Sequence, residues 1–99
     1  MNFLSDNLGW ILKSHPKVKD DIKLLDNREK KIVRNAIDKI KENPLRYKHL
    51  TVYKNSYRLR AGKIRIVYLI KENTIWILII EKRSKIYGSL PDRYESLKI

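Results

Sequence analysis

The 99-residue sequence predicts an α+β fold: an N-terminal strand, a helical hairpin, then a three-stranded antiparallel meander, with the helices on one sheet face. Three observations lead there. Apolar residues recur at helical spacing between residues 16 and 43. Residues 57–82 are rich in Ile, Val, Tyr and Trp and are broken by two turn dipeptides, as consecutive hairpins are. Two helices that are each apolar on one side also need a sheet to lie on. The length suits one domain spanning residues 1–99.

Each element has its own signal. Gly9-Trp-Ile-Leu-Lys-Ser14 reads as a short strand. Pro16 suits the first position of a helix, where its missing N–H costs nothing. Val18, Ile22 and Leu25 then form one stripe. Asp26-Asn-Arg-Glu29 has capping-box spacing, an acceptor followed three residues later by a glutamate. The helix it opens carries Ile32, Val33, Ala36, Ile37 and Ile40 on one face, and Asn43-Pro44 stops it. Residues 45–56 show no period and read as a connection. Tyr57–Arg60, Ile64–Lys71 and Thr74–Lys82 read as strands, with Ala61-Gly62 and Glu72-Asn73 as two-residue loops. Residues after Tyr87 read as a short tail.

Charge gives the first indication of function. Twenty-three Lys and Arg against eleven Asp and Glu leave a net +12, so a polyanionic partner is expected. The excess is concentrated in residues 45–87, where eleven basic side chains meet only Glu72 and Glu81. At 42% hydrophobic residues the chain is no disordered basic tail. It has no cysteine, which excludes disulfides, zinc knuckles and thiol catalysis. No His or carboxylate spacing suits a metal, and Gly9, Gly62 and Gly88 stand too far apart for a phosphate loop. His15 and His49, the only histidines, read as a helix N-cap neighbour and a loop residue. No cofactor is implied. Ile75–Ile80 is too short to span a bilayer, and the first residues lack the features of a signal peptide, so a cytoplasmic protein is expected.

Hairpin register places the cations. With Ala61-Gly62 as the first loop, Arg60 faces Lys63 and Arg58 faces Arg65. With Glu72-Asn73 as the second, Lys63 faces Lys82 and Arg65 faces Ile80. One end of one sheet face then collects Arg58, Arg60, Lys63, Arg65 and Lys82, while Trp76, Leu78, Ile80, Val67 and Leu69 share that face. Leu59, Ile64, Ile66, Tyr68, Ile77 and Ile79 form the bed for the helices. Sliding the first loop to Gly62-Lys63 keeps this parity. Like charges directly opposite on a sheet are destabilising, a conflict expected at functional sites. A solubilising edge would use lysines; three of these five are arginines, whose forks suit phosphate.

Tyr57-Arg-Leu-Arg-Ala-Gly-Lys-Ile-Arg-Ile-Val-Tyr68 resembles the YRLRxGxxRxxY core of the RelE/ParE toxin superfamily, and Lys82-Arg83-Ser-Lys-Ile-Tyr87 resembles its closing basic segment and tyrosine. The resemblance covers about residues 9–88. Its RelE branch implies a toxin of a type II toxin–antitoxin system, a metal-independent endoribonuclease that cuts mRNA in the ribosomal A site and inhibits translation. Partners implied are ribosome, mRNA and a RelB-like antitoxin. Carried over, Arg65 stabilises the pentavalent phosphorane and Tyr87 takes the proton of the attacking ribose 2′-OH. Arg83 or Lys82 donates to, or neutralises, the departing 5′-oxygen, and Arg58 and Arg60 hold flanking phosphates. The products are a 2′,3′-cyclic phosphate and a 5′-hydroxyl. Glu81 stands where the bacterial relative has an arginine. The alternatives are a ParE-like poison of DNA gyrase and a basic module that binds RNA without cutting it.

Overall fold

A computed structural model of the chain describes residues 9–82 and 90–97. In chain order these form β1 (Ile11–Ser14), α1 (Val18–Lys23), α2 (Asn27–Glu42), β2 (Lys48–Leu50), β3 (Ser56–Ala61), β4 (Ile64–Lys71), β5 (Thr74–Glu81) and α3 (Leu90–Leu97). The sheet runs β1-β5-β4-β3-β2, antiparallel except that β1 lies parallel to β5. The expected α+β architecture is therefore observed, with two additions. Residues 45–56, read as a connection, contain the three-residue edge strand β2, and the tail contains α3.

The capping box at α2 forms in both directions: Asp26 accepts from the Glu29 amide at 2.8 Å, and Glu29 accepts from the Asp26 amide at 2.9 Å. α1 starts at Val18 rather than at Pro16, after a turn closed from the Val18 amide to the His15 carbonyl at 2.9 Å. α1, α2 and the turn between them pack Val18, Leu25, Val33, Ala36 and Ile40 on Leu59, Ile64, Ile66, Tyr68, Ile75 and Ile77. The Tyr68 hydroxyl, fully buried, donates to the Pro44 carbonyl and fastens the end of α2 to the central strand. Burial pushes its pKa well above the usual phenol range.

The first hairpin turns at Gly62-Lys63, so Arg60 faces Arg65 and Arg58 faces Val67. Gly62 takes the left-handed conformation at φ 63°, which a loop at Ala61-Gly62 would have demanded of an alanine. The shift is by two residues, so the parity of the faces survives. The second hairpin does turn at Glu72-Asn73, but a bulge at Val67/Tyr68 changes its far end. Leu78 is the extra residue: Ile77 faces Tyr68 while Ile79 faces Val67. Beyond it Ile80 faces Ile66 and joins the core under α1 and α2, and Ile79 crosses to the opposite face. Arg65 therefore faces Glu81, not Ile80.

α3 covers that opposite face, packing Leu90 and Tyr94 against Val67, Leu69, Leu78 and Ile79. The Tyr94 hydroxyl donates to the Lys54 carbonyl at 3.0 Å, which ties α3 to the loop before β3. The free edge of β5 beyond β1 is closed by side chains. Asp21 of α1 accepts from the Ile80 amide at 3.0 Å and from both Arg93 terminal nitrogens at 2.7 and 3.0 Å. Arg93 also donates to the carbonyl of the bulge residue Leu78 at 3.0 Å. One buried ion pair thus pins the bulge, the sheet edge, α1 and α3 together.

Candidate nucleic-acid interface

Strand alternation carries Arg58 and Arg60 on β3 and Arg65 on β4 to the α3 side of the sheet, with Arg58 across from Val67, which packs under α3. Arg58 and Arg65 are half-buried and Arg60 is exposed. Lys48 on β2 faces Arg58, adding a fourth cation, and Lys63 lies exposed in the adjoining turn. The expected placement of cations on one face is therefore observed for Arg58, Arg60 and Arg65, whereas Lys63 lies in the turn and not across from Arg60 or Lys82. Arg60 directly across from Arg65 is unfavourable for folding, because neither guanidinium can lose its charge. A bound phosphate would convert that repulsion into a bidentate clamp.

Lys82 does not join them. The bulge shifts it out of the expected pairing with Lys63, and its ammonium lies 3.5 Å from Glu29 at the start of α2. Glu81 takes the place on the cationic face instead, across from Arg65. Burial, then the nearby Asp21 carboxylate, raises its pKa above the ordinary carboxylate value, while Arg93 and Arg65 pull the other way. Arg83 and Tyr87 lie outside the described residues.

Neither histidine faces the patch. His49 stacks at a tilt on Tyr57, 5.1 Å between ring centres, on the opposite side of the sheet. His15 is buried at the base of α1, where Nδ1 accepts from the Lys17 amide at 3.1 Å and Nε2 meets the Ser96 hydroxyl at 2.9 Å. Ser96 spends its proton on the Arg93 carbonyl, so His15 donates from Nε2 and is neutral. Burial first, then Arg93 and Lys17, hold its pKa below the ordinary value. Among the described residues no three His, Cys, Asp or Glu side chains group as a metal site, and no helix is long and apolar enough to cross a membrane.

A family model described as the ParE toxin of a type II toxin–antitoxin system, parDE, matches residues 12–87. The chain belongs to the RelE/ParE toxin superfamily. It is thereby a toxin of the type II toxin–antitoxin class. No curated protein sequence matches the toxin significantly. Its fold is that of solved RelE structures. It is similar to the free form of an arginine-to-alanine double mutant of Escherichia coli RelE, with TM-score 0.73 and 12% identity over 92% of this chain and 99% of that one. It is similar to the RelBE2 toxin–antitoxin complex of Mycobacterium tuberculosis at TM-score 0.65 and 21% identity, covering 77% and 93% of the two chains. The archaeal RelE–RelB complex of Pyrococcus horikoshii gives TM-score 0.61 and 18% identity, covering 78% and 98%.

Two residues of the patch were not found from sequence. Lys48 sits on a strand too short to show a period. Glu81 was seen only as a departure from a motif, since nothing in Leu78-Ile79-Ile80 marks a bulge.

Proposed function

We propose that this toxin is a ribosome-dependent endoribonuclease that cuts mRNA in the ribosomal A site. The observation that carries the reading is the cross-strand Arg60–Arg65 pair with Arg58 beside it, a concentration of fixed positive charge that folding alone disfavours. In this reading Arg65 neutralises the charge that builds on the phosphorane, and Arg58 and Arg60, with Lys48 and Lys63, hold the flanking phosphates. Tyr87 removes the 2′-OH proton. A phenol with a pKa of about 10 is a poor base at neutral pH unless cations stabilise its phenolate, and the patch is a source of them. For the departing 5′-oxygen, the Glu29 contact of Lys82 favours Arg83 as the compensating charge. Arginine, with pKa above about 12, serves there as an electrostatic clamp rather than a proton donor.

A small acidic antitoxin, RelB-like, is the proposed partner, since several of the similar structures are toxin–antitoxin complexes. The cytoplasm, where mRNA is translated, is the proposed location. The test is primer extension on mRNA in a translating extract with the toxin added. Discrete cuts within A-site codons are expected, and their absence overturns the reading. The description of the matching family favours a second reading, a gyrase poison. Trapped gyrase–DNA cleavage complexes with intact mRNA would establish it. Tight RNA binding with neither effect would leave a non-catalytic binding module. Association with the product of the adjacent reading frame, followed by light scattering at low and high salt, tests the antitoxin.

A further inference from the structure

Beside the cationic face lies a cleft to which the cleavage reading gives no task. β2 and the loop that follows it, residues 48–53, line an open cleft of about 550 Å³. That lies within the roughly 300–1,000 Å³ of small-ligand sites. Lys48 forms one rim and is the cross-strand partner of Arg58, so the cleft begins one strand spacing, about 4.8 Å, beyond that arginine. Leu50, Thr51, Val52 and Tyr53 complete the lining, with His49 at the strand edge.

The loop is shaped against local preference. The Tyr53 amide donates to the Leu50 carbonyl at 3.2 Å and closes a turn whose two central residues are Thr51 and Val52. Turns favour Gly, Pro, Asn, Asp and Ser, and these two side chains are β-branched and stiff. Val52 nevertheless stands at the tip, 82% exposed. The walls are also held in place. A second turn is closed from the Ser56 amide to the Tyr53 carbonyl at 3.0 Å, and the Tyr53 ring packs at a tilt on Tyr94, 5.1 Å between centres. A fixed apolar slot with a cation at its rim fits a flat, apolar-faced group carried on an anion.

We infer that this cleft is a nucleobase subsite, which takes one unpaired base of the mRNA whose phosphates lie on Lys48, Arg58 and Arg60. The inference rests on the ribonuclease reading above and deepens it. The faces of the base meet Leu50, Val52 and the Tyr53 ring, while Lys48 holds the adjoining phosphate. Every base has a π-face, so the subsite adds affinity and fixes the register of the message without choosing a sequence.

The test is single-turnover cleavage on programmed ribosomes at increasing toxin concentration. The mRNAs carry one abasic ribose at successive positions of the A-site codon and of the nucleotides 3′ to it. With the wild type, one position is expected to raise the half-saturating toxin concentration by about 5–150-fold, the worth of one base–aromatic stack. Tyr53→Leu, checked for native circular dichroism, is expected to raise it by a similar factor on ordinary mRNA and to add nothing on the message lacking that base. Val52→Ser, at an exposed position, should act in the same direction whether or not Tyr53→Leu folds. Tyr53→Phe keeps the ring and should keep wild-type affinity. Lys48→Ala should weaken every message alike, because a phosphate contact ignores the base. Losses that multiply, or the absence of any sensitive position, overturn the subsite and leave the ribonuclease reading intact. So does loss of antitoxin association in Tyr53→Leu with cleavage unchanged, which would give the cleft to the protein partner. Failure of the wild type to cut any message overturns both.

Discussion

Replacing Arg93 with methionine removes the joint that holds α1, β5 and α3 together. Three hydrogen bonds go, two to Asp21 and one to the Leu78 carbonyl. The Arg93 and Asp21 side chains are only 9% and 12% exposed, so water replaces the lost partner poorly. Breaking such a pair from one side costs about 3–5 kcal/mol, because a charge is left buried alone. Asp21 keeps its bond from the Ile80 amide and touches solvent at the rim, and Arg93 Nε has no partner among the described residues to lose. The low end, about 3 kcal/mol, is therefore expected. For a domain of this size that lowers Tm by roughly 12–24 °C. Urea unfolding of wild type, Arg93→Met, Asp21→Asn and the double variant gives the coupling energy directly, expected to exceed about 1 kcal/mol. Hydrogen exchange should show faster exchange at the Ile80 amide and throughout α3. A destabilisation of Arg93→Met below about 0.5 kcal/mol, the range of ordinary surface changes, would refute the reasoning.

Arg65→Ala and Tyr87→Phe should each abolish growth arrest in folded protein, with Arg65→Ala cutting the cleavage rate on the order of 10²–10³-fold; undiminished cleavage by either variant counts against its role. His15 should make stability fall as pH drops. Its folded pKa lies below the ordinary value of 6.5, so its contribution is complete above about 6.5 and is lost as pH falls toward the folded pKa. Glu81, with its pKa raised, acts with the opposite sign at lower pH, so the His15→Gln variant is needed to isolate the slope: its unfolding free energy should change less between pH 7 and pH 5 than that of the wild type. Tyr68→Phe leaves the Pro44 carbonyl without its donor and should cost about 1–3 kcal/mol in urea unfolding, with no cavity to add to it.

The residues most legible in the sequence were those whose chemistry is local. Asp26 and Glu29 close a capping box with no help from the rest of the fold, and the alternation of β3 and β4 puts Arg58, Arg60 and Arg65 on one face under either placement of the turn. What escaped was decided by tertiary contacts. The bulge at Leu78 is held by a guanidinium from α3 and a carboxylate from α1, and no turn residue announces it. Its effect was to exchange Lys82 for Glu81 on the candidate site. The helix α3 did carry a signal: Leu90, Tyr94 and Leu97 fall at i, i+4 and i+7, with Pro91 at its start. Eight residues are too few to be helical unaided, so that stripe becomes meaningful only beside the apolar sheet face it covers.

The position of β1 governs the order in which the molecule is put together. β3, β4 and β5 are joined by tight turns and can zip up locally, whereas Ile11 must find Thr74 across a loop of roughly sixty residues, a slow closure. The first strand to leave the exit tunnel is thus among the last to find its place. All four of its residues remain exposed after docking, so it also belongs with the segments that open most easily in the finished protein. A nascent chain halted before Thr74 has no seat for its opening strand and no edge for Asp21 to close. Docking of the opening strand therefore waits until translation has passed the fifth strand, which supplies all four of its partners.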